Sequence, residues 1–215
     1  MKKYLNQFYT KSKQYSDIPN ELFPKYNVKK GLRNEDGTGV RVGLTRIADV
    51  VGYKYVNDVK TDDVGRLYYR GIELRDIIEG RKDEMRAGYE EVCFLLLFGY
   101  LPNARELSEF RNILQNNYEL PDGFLESAFL QMPGKNLMNR LQQAVLSLYD
   151  YDEAPDDTSV ENTIEQGLSI LAKLPSILCY AYHSKMHRYN KESLIIHPVQ
   201  KDLTIAENIL YMLRK

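Results

Sequence analysis

From residue 72 onward, apolar side chains return every three or four positions, and this period dictates what the chain can fold into. In NARELSEFRNILQNN, Leu107, Phe110, Ile113 and Leu114 fall on one helical face. Asn103 is placed to cap that helix, with Glu106 three residues on as the second half of a capping box, and the Leu-Pro pair before it breaks the chain. KNLMNRLQQAVLSLY repeats the pattern through Leu137, Leu141, Val145 and Leu148, with Met138 and Ala144 widening the stripe. A third segment, TSVENTIEQGLSILAKLPSILCYAYHSKMH, opens on Thr158 with Glu161 three positions later and is apolar on more than one side, as a core or interface helix is. Pro175 lies inside it and is expected to kink it, because the ring removes a donor and crowds the preceding turn. LTIAENILYMLRK begins with the capping pair Thr204 and Glu207. Strand character is confined to about residues 40–70, where VRVGLT, DVVGYKYV and GRLYYRG are punctuated by Gly43, Gly52, Gly65 and Gly71. The expected fold is therefore mainly α, multi-helical, with a small β-hairpin region near residues 40–70.

A chain of 215 residues buries enough surface to fold without staples. The balance of 29 Lys+Arg against 30 Asp+Glu argues against a nucleic-acid partner or a membrane surface. Cys93 and Cys179 both sit in apolar runs and read as two buried thiols in a reducing compartment. The longest apolar run, VCFLLLF, has seven residues where a bilayer span needs about 20, so it reads as core. The N-terminal MKKYLNQFYTKSKQYSDIP carries lysines without the apolar stretch of a signal peptide, and a cytoplasmic location is expected.

The motifs that could carry chemistry fail on inspection. Gly37-Thr38-Gly39 begins like a dinucleotide fingerprint, but Val42 stands at the third glycine position, more strand follows, and no Gly-Lys-Ser/Thr occurs. A turn over Glu35 to Gly39 feeding a hairpin is the better account. His183 and His187 are four apart, a zinc-compatible spacing, yet Ser184 stands where HExxH needs glutamate, and His197 lies in a different element beside Pro198. In the acidic loop DYDEAPDD, Pro155 occupies the position where a calcium loop started at Asp150 requires glycine, leaving a solvated linker. No G-x-S-x-G elbow is present, and neither cysteine has a neighbouring base in sequence. No catalytic residue, no metal ligand set and no resident cofactor is expected.

Several dispersed segments nevertheless resemble one family, in its order. KGLRNEDGTGVRVGLTRIADVVGY followed by GRLYYRGIELRDII is similar to the N-terminal signature of citrate synthases. GYEEVCFLLLFGYLPNARELSEF resembles the family's E-E-V-x-x-L-L-x-x-G-x-L-P-x-x-x-E-L segment. ELPDGFLESAFLQMPGKNLMNRLQQAVLSL resembles its helix pair, with Asn136-Leu137 replacing the common His-Pro before Met138. LAKLPSILCYAYHSKM resembles the proline-kinked helix and LTIAENILYML the ANF-x-x-ML-type helix.

The resemblance runs from about residue 30 onward. It implies a helical homodimer that condenses acetyl-coenzyme A, as substrate, with oxaloacetate to give citrate and free coenzyme A. A carboxylate removes a methyl proton while histidines polarise the carbonyls. The family's motifs resembling L-H-x-x-H-x-x-x-N, G-P-x-H-G-G-A and G-Y-G-H do not occur in residues 1–215, and His183, His187 and His197 match none of them.

The expectation is thus an N-terminal helical arm over residues 1–30 and an incomplete large helical domain over 31–215, inactive alone, without the small domain and C-terminal helices. Arg33 sits where some members hold an arginine near the coenzyme A phosphates. The arginine that other members supply after the helix pair is not evident in DYDEAPDD. The segments near 135–149 and 158–188 match helices that the family's dimers pack across their two-fold. The alternatives are a 2-methylcitrate synthase fragment, using propionyl-coenzyme A, or a non-enzymatic helical dimerisation protein of the same fold.

Overall fold

A computed structural model describes residues 18–26, 28–29, 31–32, 45–57, 59–82 and 88–214. Contacts divide the chain into two units, Met1–Thr45 and Arg46–Lys215. In the first, the described residues form one short helix, α1 (Leu22–Lys25). Most of the arm expected over residues 1–30 lies outside the described residues, as do VRVGLT up to Leu44 and the turn expected over Glu35 to Gly39.

The second unit opens with a three-stranded antiparallel meander, β1 (Ala48–Val56), β2 (Val59–Tyr69) and β3 (Ile72–Glu73), in the order β1-β2-β3. Residues Ala48 to Val51 pair with Tyr69 to Arg66, and Tyr53 to Val56 pair with Asp62 to Val59, with the register shifting at Gly52. Arg70 and Gly71 both take positive φ, 52° and 88°, which suits the two-residue turn joining β2 to β3. The strand pattern in the sequence thus holds within the described residues. The second strand is longer than GRLYYRG suggests, because VKTDD pairs as well.

Helices then follow without further strand: α2 (Leu74–Lys82), α3 (Tyr89–Phe98), α4 (Ala104–Asn116), α5 (Leu137–Ser147), α6 (Val160–Asn190) and α7 (Ile205–Met212), with a π-helical turn at Glu126–Leu130 and a 3-10 turn at Leu148–Tyr151. Helix α3 ends at Gly99, whose φ of 90° lets its N–H reach the Leu95 carbonyl at 2.9 Å. Arg70 donates from Nε to the Leu96 carbonyl at 3.1 Å, so the meander's last turn holds a cation against the helix C-terminus.

Asn103 caps α4 as expected: its side chain accepts from the Arg105 and Glu106 amides at 3.0 Å, and Glu106 accepts from the Asn103 amide at 2.8 Å. Thr204 and Glu207 form the same box at α7. The cap of α6 is Ser159 rather than Thr158. Asp157 Oδ1 accepts the Ser159 amide at 2.9 Å, and that local turn sets Ser159 extended, where its Oγ takes the Asn162 amide. Helix α6 runs 31 residues without a break through Pro175, whose missing N–H leaves the Leu171 carbonyl without an i+4 donor.

Helix α6 is the spine of two apolar clusters. Leu168 and Ala172 pack with Phe94, Phe110, Leu114, Tyr118 and Ile205. Two turns on, Ile177, Cys179, Tyr180 and Ala181 pack with Phe124, Ala128, Phe129, Ala144 and Met212. Each large side chain in these groups contributes roughly 2 kcal/mol by leaving water. Along α4, Leu107, Phe110 and Leu114 are buried as the stripe requires, whereas Ile113 lies outward. On α5, Ala144 is buried and Met138 points to solvent. The π-helical turn is held to its neighbours by Ser184 Oγ, which donates to the Phe129 carbonyl at 2.6 Å, and by Arg140, which donates to the Ala128 carbonyl at 3.3 Å.

Candidate functional site

The three histidines are the residues with the greatest capacity for acid–base work near neutral pH, and the fold disperses them. His183 is buried on α6, and its Nε2 lies 2.8 Å from the Met212 carbonyl. A carbonyl only accepts, so Nε2 carries the proton and ties α6 to α7. His187 makes the same kind of bond from Nδ1 to the Glu192 carbonyl, also 2.8 Å. His197 lies against Tyr211 with ring centroids 5.3 Å apart, its Nε2 buried without a hydrogen-bond partner, while its carbonyl accepts from Tyr180 Oη at 3.3 Å. The helical spacing of His183 and His187 therefore serves two separate backbone anchors. Among the described residues, no three His, Cys, Asp or Glu side chains converge as a metal site would require.

A cavity of about 660 Å³ opens between the end of α5, the 3-10 turn, the acidic loop and the first half of α6. The loop walls it because α6 reaches back to hold it. Asn162 donates to the Ala154 and Asp157 carbonyls, both at 2.9 Å, and Gln166 donates to Ala154 and Pro155. Tyr149 Oη donates to Asp156 at 2.9 Å, and Asp152 Oδ1 accepts the Ala154 amide at 2.9 Å. The acidic stretch is exposed at Asp150, Glu153, Asp156 and Asp157, as a solvated linker is, and these bonds also latch it to α6. The cavity contains one amine, Lys173, which donates to Ser169 Oγ at 2.6 Å and whose pKa is lowered by burial.

Sequence reasoning passes over two buried carboxylates. Glu90 and Glu91 are 1 % and 2 % exposed at the start of α3. Glu90 Oε1 accepts the Ile205 amide at 2.9 Å, capping α7 from across 115 residues of chain. Glu91 pairs with Arg81 of α2. Beside them, burial first and the Glu90 carboxylate second push the Tyr118 hydroxyl up to about 12. A signal is present in YEEVCFLLLF: each glutamate precedes a core residue, Phe94 or Leu95, by four positions, so both lie on the inward face and must find partners. These groups hold helices together, and each has at least one oxygen engaged with another element.

Arg33, expected near a coenzyme A phosphate, lies outside the described residues. No helix of the described residues is long and apolar enough to cross a membrane.

Comparison with known proteins follows this geometry. Residues 34–215 match the family model described as "Citrate synthase, C-terminal domain". The citrate synthase of Haloferax volcanii is 34 % identical over 190 residues, which are 86 % of this chain and 43 % of that protein. A 2-methylcitrate synthase of Corynebacterium glutamicum is 30 % identical over 176 residues, 81 % of this chain and 42 % of the relative. Among solved structures, citrate synthase from Pyrobaculum aerophilum superposes with a TM-score of 0.64 at 25 % identity, covering 85 % of this chain and 44 % of that one. The chain spans less than half the length of these relatives. With a family model over residues 34–215 and a shared helical fold, the chain belongs to the citrate synthase family.

Proposed function

We propose that residues 31–215 supply large-domain scaffold for condensation of acetyl-coenzyme A with oxaloacetate, and that the 215-residue chain alone does not turn over. The observation that carries this reading is the fate of the histidines. Within a family whose chemistry needs oriented acid and base groups, His183 and His187 are each bonded to a main-chain carbonyl, and His197 lies against Tyr211. An enolate needs both a base at the methyl carbon and a donor at the thioester oxygen. None of the three histidines lines the 660 Å³ cavity. In this reading Arg33 contacts a coenzyme A phosphate, a role suited to its permanent charge.

The oligomer expected from the helix pair is narrowed by packing. Between Leu168 and Ser184 α6 is used inside the chain, whereas Met138 and Val160 remain solvent-facing on α5 and the first turn of α6, clear of the residues that line the cavity. A homodimer interface over these residues is supported by their exposed apolar side chains.

Release of free thiol from acetyl-coenzyme A on adding oxaloacetate tests the proposal. The expected result is no oxaloacetate-dependent turnover above buffer, and multiple turnovers per chain would overturn it. A parallel arm with propionyl-coenzyme A separates the 2-methylcitrate reading, which the Corynebacterium glutamicum relative supports. A cytoplasmic location is the companion expectation, checked by fractionation.

A further inference from the structure

Lys173 stands apart from the other described lysines in its surroundings. It follows Ala172, which is fully buried in the cluster around Phe94 and Phe110, and its amine reaches the 660 Å³ cavity beyond the core. Nζ donates to Ser169 Oγ at 2.6 Å one turn earlier on α6. Among the described residues no carboxylate pairs with it, although Asp152, Glu153 and Glu165 line the same space. Asp152 is turned to the Ala154 amide, and Asn162 and Gln166 keep the loop in place, so the cavity retains its shape around the amine. The serine bond fixes one N–H direction. The remaining positions on nitrogen are left without a protein acceptor among the described residues.

We propose that Lys173 is an acyl-acceptor site, taking the acyl group from small acyl thioesters that enter this cavity. Nζ, as the free amine, attacks the thioester carbonyl. The N–C bond forms, the C–S bond breaks, and the departing thiolate takes the proton that nitrogen loses, leaving an amide and a free thiol. Burial favours the uncharged, nucleophilic amine, as the lowered pKa of this lysine records. Lys191 and Lys201 are exposed, and Lys201 pairs with Glu119 at 3.3 Å. The choice of a thioester as electrophile rests on the acyl-coenzyme A reading above. The test therefore uses a donor without a nucleotide.

The full 215-residue chain is incubated with the acetyl thioester of N-acetylcysteamine at about pH 8, below the ordinary lysine range. Site-resolved mass spectrometry then follows each lysine. Lys173 is expected to acetylate at least about fivefold faster than Lys191 and Lys201, because burial favours its free amine. The preference vanishes when the chain is unfolded in urea, and a Lys173→Arg chain loses the fast phase in intact-mass kinetics while keeping its helical circular dichroism. Acetylation of Lys173 in the folded chain at or below the rate of Lys191 overturns the proposal, as does a preference that persists in urea. Success with this donor and failure with acetyl-coenzyme A would leave the acceptor site standing and remove the coenzyme reading alone.

Discussion

Replacing Glu90 by alanine probes the longest-range tether in the fold. Its carboxylate accepts the Ile205 amide at 2.9 Å with the side chain 1 % exposed, and it sits at the N-terminus of α7. Removal orphans a buried N–H, which costs about 1–3 kcal/mol, and withdraws an anion from a helix start, worth up to about 2 kcal/mol when partly buried. Against this, the second oxygen, Oε2, is buried without a hydrogen-bond partner, and deleting it relieves a desolvation cost of about 1–2 kcal/mol. The net expectation for Glu90→Ala is a loss of about 2 kcal/mol in urea unfolding followed by circular dichroism. Glu90→Gln, which keeps the acceptor, is expected to lose about half as much. Amide exchange should show α7 opening at lower free energy than α5 in the alanine variant. Equal losses for alanine and glutamine, or a loss under about 0.5 kcal/mol, would show that the Ile205 bond contributes nothing net.

Two further outcomes follow from the described geometry. The Tyr118 hydroxyl is pushed up to about 12 and the Cys179 thiol up to about 11, both chiefly by burial. The unfolded chain therefore releases these protons first, stability is intact below about pH 9, and it falls as pH rises toward 12. Tyr118→Phe should flatten the upper part of that decline in a pH series of urea midpoints, and an unchanged slope would refute the assignment. Met138, 64 % exposed on α5, is expected to shift the sedimentation of the chain toward monomer when changed to Asp, with little effect on folded stability. A variant that self-associates as before would remove α5 from the interface.

How much of this is legible in the sequence differs by element. The capping boxes at Asn103 and Thr204 are readable because both partners lie within four residues of each other, so no distant contact can rearrange them. Helix α6 falls where its pattern puts it, but the cap moves from Thr158 to Ser159 because Asp157 competes for the local amide, a choice between adjacent residues that periodicity does not make. Ile113 and Met138 look inward by spacing and lie outward, since a helical stripe has edges and the width of the neighbour decides which edge is covered. The histidines show the sharper limit. Their spacing suggests a shared task, yet Met212 and Glu192, the residues whose carbonyls they meet, are reached only through tertiary docking and a local turn. Glu90 is hidden for the same reason, its partner lying 115 positions away.

The 31-residue α6 carries both apolar clusters on one continuous coil, and this makes the coil a ruler. A single inserted or deleted residue between Ala172 and Ile177 would rotate one cluster against the other by about 100° and slide it by about 1.5 Å. Changes of identity along α6 are absorbed locally, whereas a change of length is felt at once by α3, α4, α5 and α7. Descendants of this chain can therefore vary the helix's letters far more freely than its count.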